Sequence, residues 1–444
     1  MEKTTRERLL FAGAVLIQLV LGLYSFTAYP IEDVGTHART VEPVLREQIY
    51  PLDYMPVSDT GLTYPVLFHY PALILNILGL NAVVAVRVIG LAAFAAFPLC
   101  MYLLGGIFDR KTGFYCLGTS VVVGNLAVLL AFSAFPQILA YDLLCMMLFF
   151  WFSKRFWISG IFLGLTLLAH SFVGPFALFC TLILLATYRE YRKDTLRAIG
   201  TGLVVTLPWA FQYFRIFFSA LEGEWHNTVW YGSMPGFIDL GTAISYLIRL
   251  NPVVLAAAFA ALGYRHRKKL FFSLLFLVCL AFTVYHYTPA QLKFLDTLAF
   301  PTILLASVSM ARIKDKKLEL ALVVLLAVSI AVPFWILHDY NSMFSVISEE
   351  EIEAARWLRV HDKDFSRIIV AGEPAKEVMF AAIADKYPMD AKLSDLEVYS
   401  DAYLRQIANR KRIIDGNYSL AAGYGVKYII YGEEGCRGLD QIYS

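Results

Sequence analysis

Two adjacent acids, Glu32 and Asp33, stand in the stretch "YPIEDVGTHARTVEPVL", and His37 follows Asp33 by four residues. That spacing puts Asp33 and His37 on one face of a helix. A carboxylate and an imidazole so placed suit a divalent cation, or a carboxylate base oriented by the ring. Dipole partnering at a helix start accounts for one acid. It does not account for two acids together with His37 and the nearby Arg39. Lys293 and Asp296 lie in "YHYTPAQLKFLDTLAFP". The compact Lys293 ammonium suits a phosphate, or it snorkels to lipid headgroups.

Other polar residues are set in apolar surroundings. Asp142 and Gln137 share "FPQILAYDLLCMMLFFWF". A carboxylate in hydrocarbon costs about 3 kcal/mol, so Asp142 faces a cavity or a partner, in a functional role or as an interhelical hydrogen bond. His170 in "LLAHSFVGPFAL" marks a tight turn, where a lone histidine is more often structural. The Trp-rich loop "ALEGEWHNTVWYGSMPGF" carries Glu222, Glu224, Trp225 and His226. It suits stacking on sugar faces or resting at headgroups. In "TYPVLFHYPALIL", Tyr64, His69 and Tyr70 are interfacial types suited to anchoring. Pro65 and Pro71 bracket a short apolar helix fit to line a groove for an acyl or prenyl chain.

The elements that must position these groups are membrane helices. The chain has 444 residues, 58% hydrophobic and only 17% charged, against about half and a quarter in soluble domains. The excess is concentrated in runs such as "LLFAGAVLIQLVLGLYSF" and "LELALVVLLAVSIAVPFWIL", long enough to cross roughly 30 Å of hydrocarbon. Period-two alternation is absent, which excludes a barrel. Spans are expected near 9–29, 82–106, 114–134, 136–153, 156–170, 172–188, 199–217, 245–264, 270–287, 295–311 and 318–338. The first is read as a retained span, being too long for a signal peptide. The segment 65–80 is short and reads as an interfacial or re-entrant helix. Five of the six cysteines sit inside apolar runs, with no CxxC or Cys/His cluster, which argues against a zinc framework or disulfides.

Basic residues set the orientation. Nineteen of the 38 Lys and Arg fall in "EKTTRER", "DRK", "KR", "YREYRKDTLR", "RHRKK" and "RIKDKK", which marks that side as cytoplasmic. Thirteen more follow residue 339, leaving Arg39, Arg46, Arg87, Arg215, Arg249 and Lys293 for the outer side. Eleven spans place the N-terminus in the cytoplasm and the C-terminus outside. Beyond residue 341 the apolar runs shrink to strand length, as in "RIIVAG" and "VKYIIYG", between helical patterns such as the Ser-capped "SEEEIEAARWLRVH". The expected architecture is an all-α polytopic bundle over 1–340, with a long first outer loop at 30–81, and a small extracytoplasmic α/β domain over 341–444. No nucleic-acid partner is expected.

The acidic pair in "IEDVGTH", the Tyr-Pro-rich "TYPVLFHYP", the hairpin "LGLTLLAHSFVGPFAL", the basic residue in "QLKFLDTLAFP" and the closing "YGVKYIIYG" together resemble the GT-C superfamily of integral-membrane glycosyltransferases. The resemblance covers most of the chain as architecture. It implies a multi-pass cell-membrane enzyme using a polyprenyl- or dolichyl-phosphate-linked sugar on the outer face. It implies Asp33, with Glu32, as general base on the acceptor hydroxyl or as holder of a divalent cation, Mg or Mn, with His37 orienting or ligating beside it. Lys293, Arg249 and Arg215 would meet the lipid phosphate, and a one-base displacement would invert the anomeric centre. Asp142, Gln137, His170, His226 and Tyr64 are accessory candidates. Two departures stand out. The chain lacks a "WWDYG"-like signature, against protein N-glycosylation, and it shows no clear second Asp-x-Asp for a metal. Alternatives are a transporter or flippase of a lipid-linked or anionic solute, for which Asp142 speaks, and a non-catalytic assembly protein. Acceptor and sugar are not legible in the sequence.

Overall fold

Long apolar runs without alternation must satisfy their backbone internally, so they fold as helices. In the computed structural model, the described residues are 3–25, 32–39, 41, 67–131, 134–221, 225–227, 248–264, 266–284, 291–343, 347–362, 367–371, 374–384, 386–388 and 398–430. The first helices are α1 (Lys3–Ser25), α2 (Glu32–Arg39), α3 (His69–Ile77) and α4 (Ala82–Gly105). Next come α5 (Arg110–Val122), α6 (Gly124–Ala131), α7 (Phe135–Phe152), α8 (Phe156–Ala169), α9 (Val173–Thr187) and α10 (Arg192–Leu221). The bundle is completed by α11 (Pro252–Leu262), α12 (Arg267–Val284), α13 (Gln291–Ala311), α14 (Lys316–Ser329) and α15 (Ala331–Met343).

Local chemistry sets the helix starts. Asn81 caps α4 by accepting from the Val83 N–H at 2.9 Å. Asp109 caps α5 through the Thr112 N–H at 2.8 Å. Pro136 and Pro252 fall in the first turns of α7 and α11, where a missing N–H costs nothing. Pro71 likewise lies inside the first turn of α3, so it does not bound that helix as expected. The carbonyl ends are capped by lysines: Lys268 donates to the Ile107 carbonyl at 2.6 Å and Lys269 to that of Leu262 at 3.0 Å. Cations there oppose the negative helix end.

The expected helices lie where the hydrophobic runs are; among the described residues, four to six pass the length and apolarity of a span, against the eleven expected of the whole chain. Among the described residues, α4, α7, Phe294–Ala311 of α13 and the Lys316–Asp339 stretch qualify singly. Two bent pairs qualify jointly, raising four to as many as six: α5 with α6, bent by 48°, and α9 with Arg189–Leu207, bent by 110°. Helices α8 and α11, with 14 and 11 residues, are shorter than the roughly 20 residues a straight span needs.

After the bundle come α16 (Glu349–His361), β2 (Arg367–Val370), α17 (Pro374–Ala384), β3 (Tyr387–Pro388), β4 (Val398–Ser400), α18 (Asp401–Ile414), α19 (Ser419–Gly423) and β5 (Val426–Ile430); β1 (Trp225–Asn227) lies upstream. Ser348 and Glu351 close the capping box that opens α16, at 3.2 and 2.8 Å. Strand β2 pairs in parallel with β3 on one side and β5 on the other. Strand β1 reaches across from mid-chain to pair antiparallel with β4. Val34, Ala38 and Val41 share one buried apolar cluster with the bundle and with Ile352, Ile368 and Phe380.

Helices α8 and α10 pack closely through glycine. A Cβ on Gly160 would sit 2.5 Å from the Ala198 carbonyl, and one on Gly164 2.7 Å from the Gly202 carbonyl. Small residues four apart let two helix backbones approach in lipid. Gly164→Leu is therefore expected to destabilise the protein by about 1–3 kcal/mol through overpacking, read as a lowered thermal unfolding midpoint in detergent. Gly200→Ala, where a Cβ meets open space, is expected to leave the midpoint unchanged or raise it.

Candidate functional site

Helix α2 carries Glu32, Asp33 and His37, so the four-residue spacing of Asp33 and His37 is a helical one. Val34, His37 and Ala38 are buried. The Nδ1 of His37 lies 3.0 Å from the Nε2 of His69, the first residue of α3. One of these nitrogens carries the proton and the other accepts it; both rings are enclosed, with Phe68 packed against them. This hydrogen bond fixes the orientation of the His37 ring. The anchoring role expected of His69 does not hold, because His69 is fully buried against His37. Next to it, burial raises the pKa of the Tyr70 phenol, so Tyr70 stays neutral and adds no charge.

Contacts continue from here across one end of the bundle. Phe68 meets Phe135 at the start of α7, and the Leu67 N–H donates to the Leu168 carbonyl at 3.0 Å. Phe172 at the start of α9 meets Phe294 on α13 edge to face, at 5.2 Å. Gln137 on α7 donates to the Tyr141 hydroxyl at 3.0 Å and reaches the Asp296 carboxylate on α13 at 3.5 Å. The Tyr141 hydroxyl is also 3.0 Å from that of Thr297. Asn125 donates to the Leu295 carbonyl at 3.3 Å. Gly124, where α5 breaks into α6, admits the backbone of Arg249: a Cβ there would meet the Arg249 carbonyl at 3.1 Å. Lys293 stands one turn before Asp296 on α13. Thus α2, α3, α7, α9, α13 and the approach to α11 converge, and four sequence candidates lie on this chain of contacts: His37, Gln137, Arg249 and, by backbone position, Lys293.

Two candidates sit differently. The Nδ1 of His170 accepts from the N–H groups of Phe172 and Val173, at 3.1 and 3.3 Å. It serves as the polar cap of α9 and leaves its proton on Nε2. Asp142 is buried between α7 and α4; its oxygens accept no hydrogen bond of good geometry, and the Cys100 thiol is its polar neighbour. It shares no hydrogen bond with Gln137, although the two are five residues apart on one helix. His226 lies on β1, its backbone paired with Tyr399 of β4. The side chains of Glu32, Asp33, Arg215, His226 and Lys293, and all of Tyr64, lie outside the described residues.

The sequence reading gave His69 only an anchoring role and passed over Tyr141 and Thr297. His69, Tyr141 and Thr297 join the site only through tertiary contact. Arg87 was counted among the outer cations but given no role. It is buried and donates to the Ser25 carbonyl at 3.1 Å, tying α4 to the end of α1. Its signal was a charged residue inside an otherwise apolar run.

No family model matches the sequence, and no curated protein matches it. Solved structures do. ArnT from Cupriavidus metallidurans in the apo state superposes with a TM-score of 0.65 at 10% identity, over 95% of each chain. The same protein bound to undecaprenyl phosphate gives 0.62 at 11% identity, over 92% of this chain and 89% of that one. The Archaeoglobus fulgidus oligosaccharyltransferase, apo form, gives 0.57 at 12% identity over 87% of this chain; it has also been solved in complex with Zn and sulfate. This chain spans 64% of the length of that apo structure. At such identities the likeness is one of fold.

The His170 cap gives a clear expectation. His170→Ala should lower stability by about 1 kcal/mol, as loss of a helix cap does, while His170→Asn restores most of it. Chemical or thermal unfolding of the two variants beside wild type checks this.

Proposed function

We propose that the chain is an integral-membrane glycosyltransferase that moves a sugar from a polyprenyl-phosphate-linked donor to an acceptor hydroxyl on the outer face of the membrane. The observation that carries this reading is the chain of contacts that runs from α2 through α3 and α7 to α13, from His37 to His69, Phe68 to Phe135 and Gln137 to Asp296. A fold neighbour bound to undecaprenyl phosphate supports the donor class. The charge pattern supports a cytoplasmic N-terminus, eleven crossings in all and an extracytoplasmic α/β domain over 341–444.

In this reading Asp33, with Glu32 beside it, takes the proton of the acceptor hydroxyl as the hydroxyl attacks the anomeric carbon. His37 orients that carboxylate, and His69 holds His37 through its Nδ1. The bond that breaks leaves its electron pair on the lipid phosphate. Lys293, Arg249 and Arg215 meet the charge that develops there, where preorganised cations stabilise the transition state most. Asp296 holds the first turns of α13 through Gln137, while Thr297 does so through Tyr141, keeping Lys293 in register. Direct displacement with one base inverts the anomeric centre.

A divalent cation fits this site in part. Among the described residues no group of three His, Cys, Asp or Glu is gathered; His37, one turn after Asp33 on α2, would supply an imidazole ligand. Imidazole suits zinc better than magnesium or manganese, which prefer carboxylate oxygens. When bound, such an ion would lower the pKa of the acceptor hydroxyl. The transporter reading rests on Asp142. That residue is buried between α4 and α7, with the Cys100 thiol as its polar neighbour.

Transfer from a radiolabelled polyprenyl-phosphate sugar, by purified wild type, Asp33→Asn, Glu32→Gln and Lys293→Ala, tests the proposal. Asp33→Asn should lower kcat roughly 10²- to 10⁴-fold, as loss of a general base does. Lys293→Ala should cost roughly 10²- to 10³-fold, as loss of one charge-stabilising donor does. Equal transfer by wild type and Asp33→Asn would remove Asp33 from the chemistry.

A further inference from the structure

Helix α2 has eight residues, and an isolated helix shorter than about 12–15 residues is marginal in water. Its order must come from packing. Two elements supply most of it: α4 of the bundle, and α17 from the far end of the chain. Met379, Phe380, Ala381, Ala382, Ile383 and Ala384 of α17 are all buried, because α17 lies between α2 on one side and β2 and α16 on the other. Among the described side chains of α17 the polar ones are Lys376, which pairs with Glu351 of α16 at 2.7 Å, and Glu377.

Glu377 is fully buried in the first turn of α17. Its Oε2 accepts from the Val370 N–H of β2 at 3.0 Å, and from Arg410 of α18 at 2.9 Å (Nε) and 2.8 Å (Nη2). The same Nη2 donates to the Val370 carbonyl at 2.8 Å. A single carboxylate oxygen thus fastens α17 to the sheet and to α18 together. A buried charge with all its partners in place fixes geometry more than it adds stability.

We infer that α17 is the positioning element for the acid-bearing helix, and that Glu377 and Arg410 are positioning residues holding it against α2. The segment after the bundle is then part of the site, although none of its described residues bears the acid. Its functional meaning rests on the reading that α2 carries the base; the structural claim does not.

Hydrogen–deuterium exchange on the full-length protein in nanodiscs decides the matter, following peptides over 32–39, α4, α7, α13 and α17. The proteins compared are wild type, Glu377→Gln, Arg410→Lys and Lys427→Met. The last removes a partly exposed ion pair to Asp362 in the same segment, 3.1 Å long. In Glu377→Gln, α2 should exchange about tenfold faster while α4, α7 and α13 keep their protection, as expected when one cooperative unit opens alone. Arg410→Lys should move α2 in the same direction by less, and Lys427→Met should leave α2 as in wild type. Faster exchange in α17 with α2 unchanged overturns the inference, because α4 alone would then hold α2. Loss of protection across the whole bundle in both variants also overturns it, since no local clamp would remain to describe. In the transfer assay, Glu377→Gln should lower kcat about tenfold with the KM for donor unchanged; a raised KM with kcat intact counts against positioning. Absence of transfer in wild type would defeat the proposed activity and leave the exchange result standing.

Discussion

Backbone amides and carbonyls cannot go unpaired in hydrocarbon, and the rest of the molecule follows from that constraint. It makes the middle of the chain a set of helices whose polar needs are met within themselves. Irregular backbone, short helices and charged side chains are pushed to the ends of the bundle. There the elements are too short to order themselves, so each borrows its order from a neighbour. Helix α3 leans on α4, α2 lies between α4 and α17, and the His37–His69 hydrogen bond joins the two short helices where neither ring meets water.

The same constraint shapes the polar contacts inside the bundle. Where α7 meets α13, amide, phenol and hydroxyl groups answer each other from Gln137 through Tyr141 to Thr297. Thr119 and Ser307 do the same deeper down, 2.9 Å apart. Where the backbone itself is interrupted, between α5 and α6, the break is enclosed by Arg249 and Ile336. These polar groups are thus either paired or walled in.

Much of the architecture was legible because it is written locally. Hydrophobic runs marked the helices, and Ser348 with Glu351 marked the start of α16. The strand-length runs around Ile369 and Ile429 became neighbours in one parallel sheet. The full count of spans was less legible, since α8 and α11 are short and α5–α6 breaks at a glycine that no local rule distinguishes from its neighbours. Of the site, the helical face of Asp33 and His37 was readable from spacing. The partner of His37 was not, because His69 is 32 residues away and reads by type as an interface residue. Gln137 and Asp296 are 159 residues apart; only the finished fold puts them together. His170 did carry a readable signal, a lone histidine at a tight turn that reads as structural, but its capping of α9 shows only in the fold.

The packing of α17 on α2 has a consequence in time. The ribosome finishes Arg39 long before it reaches Pro374, and at about 5–20 residues per second the interval is tens of seconds. During that interval the bundle can insert and pack, but the helix with the two acids has only one of its two walls. The strand pairing of β1 with β4 must wait for the same late segment. The acid-bearing helix therefore gains its second wall only after α17 has been made. A chain released early would present a well-inserted bundle with an unfinished rim.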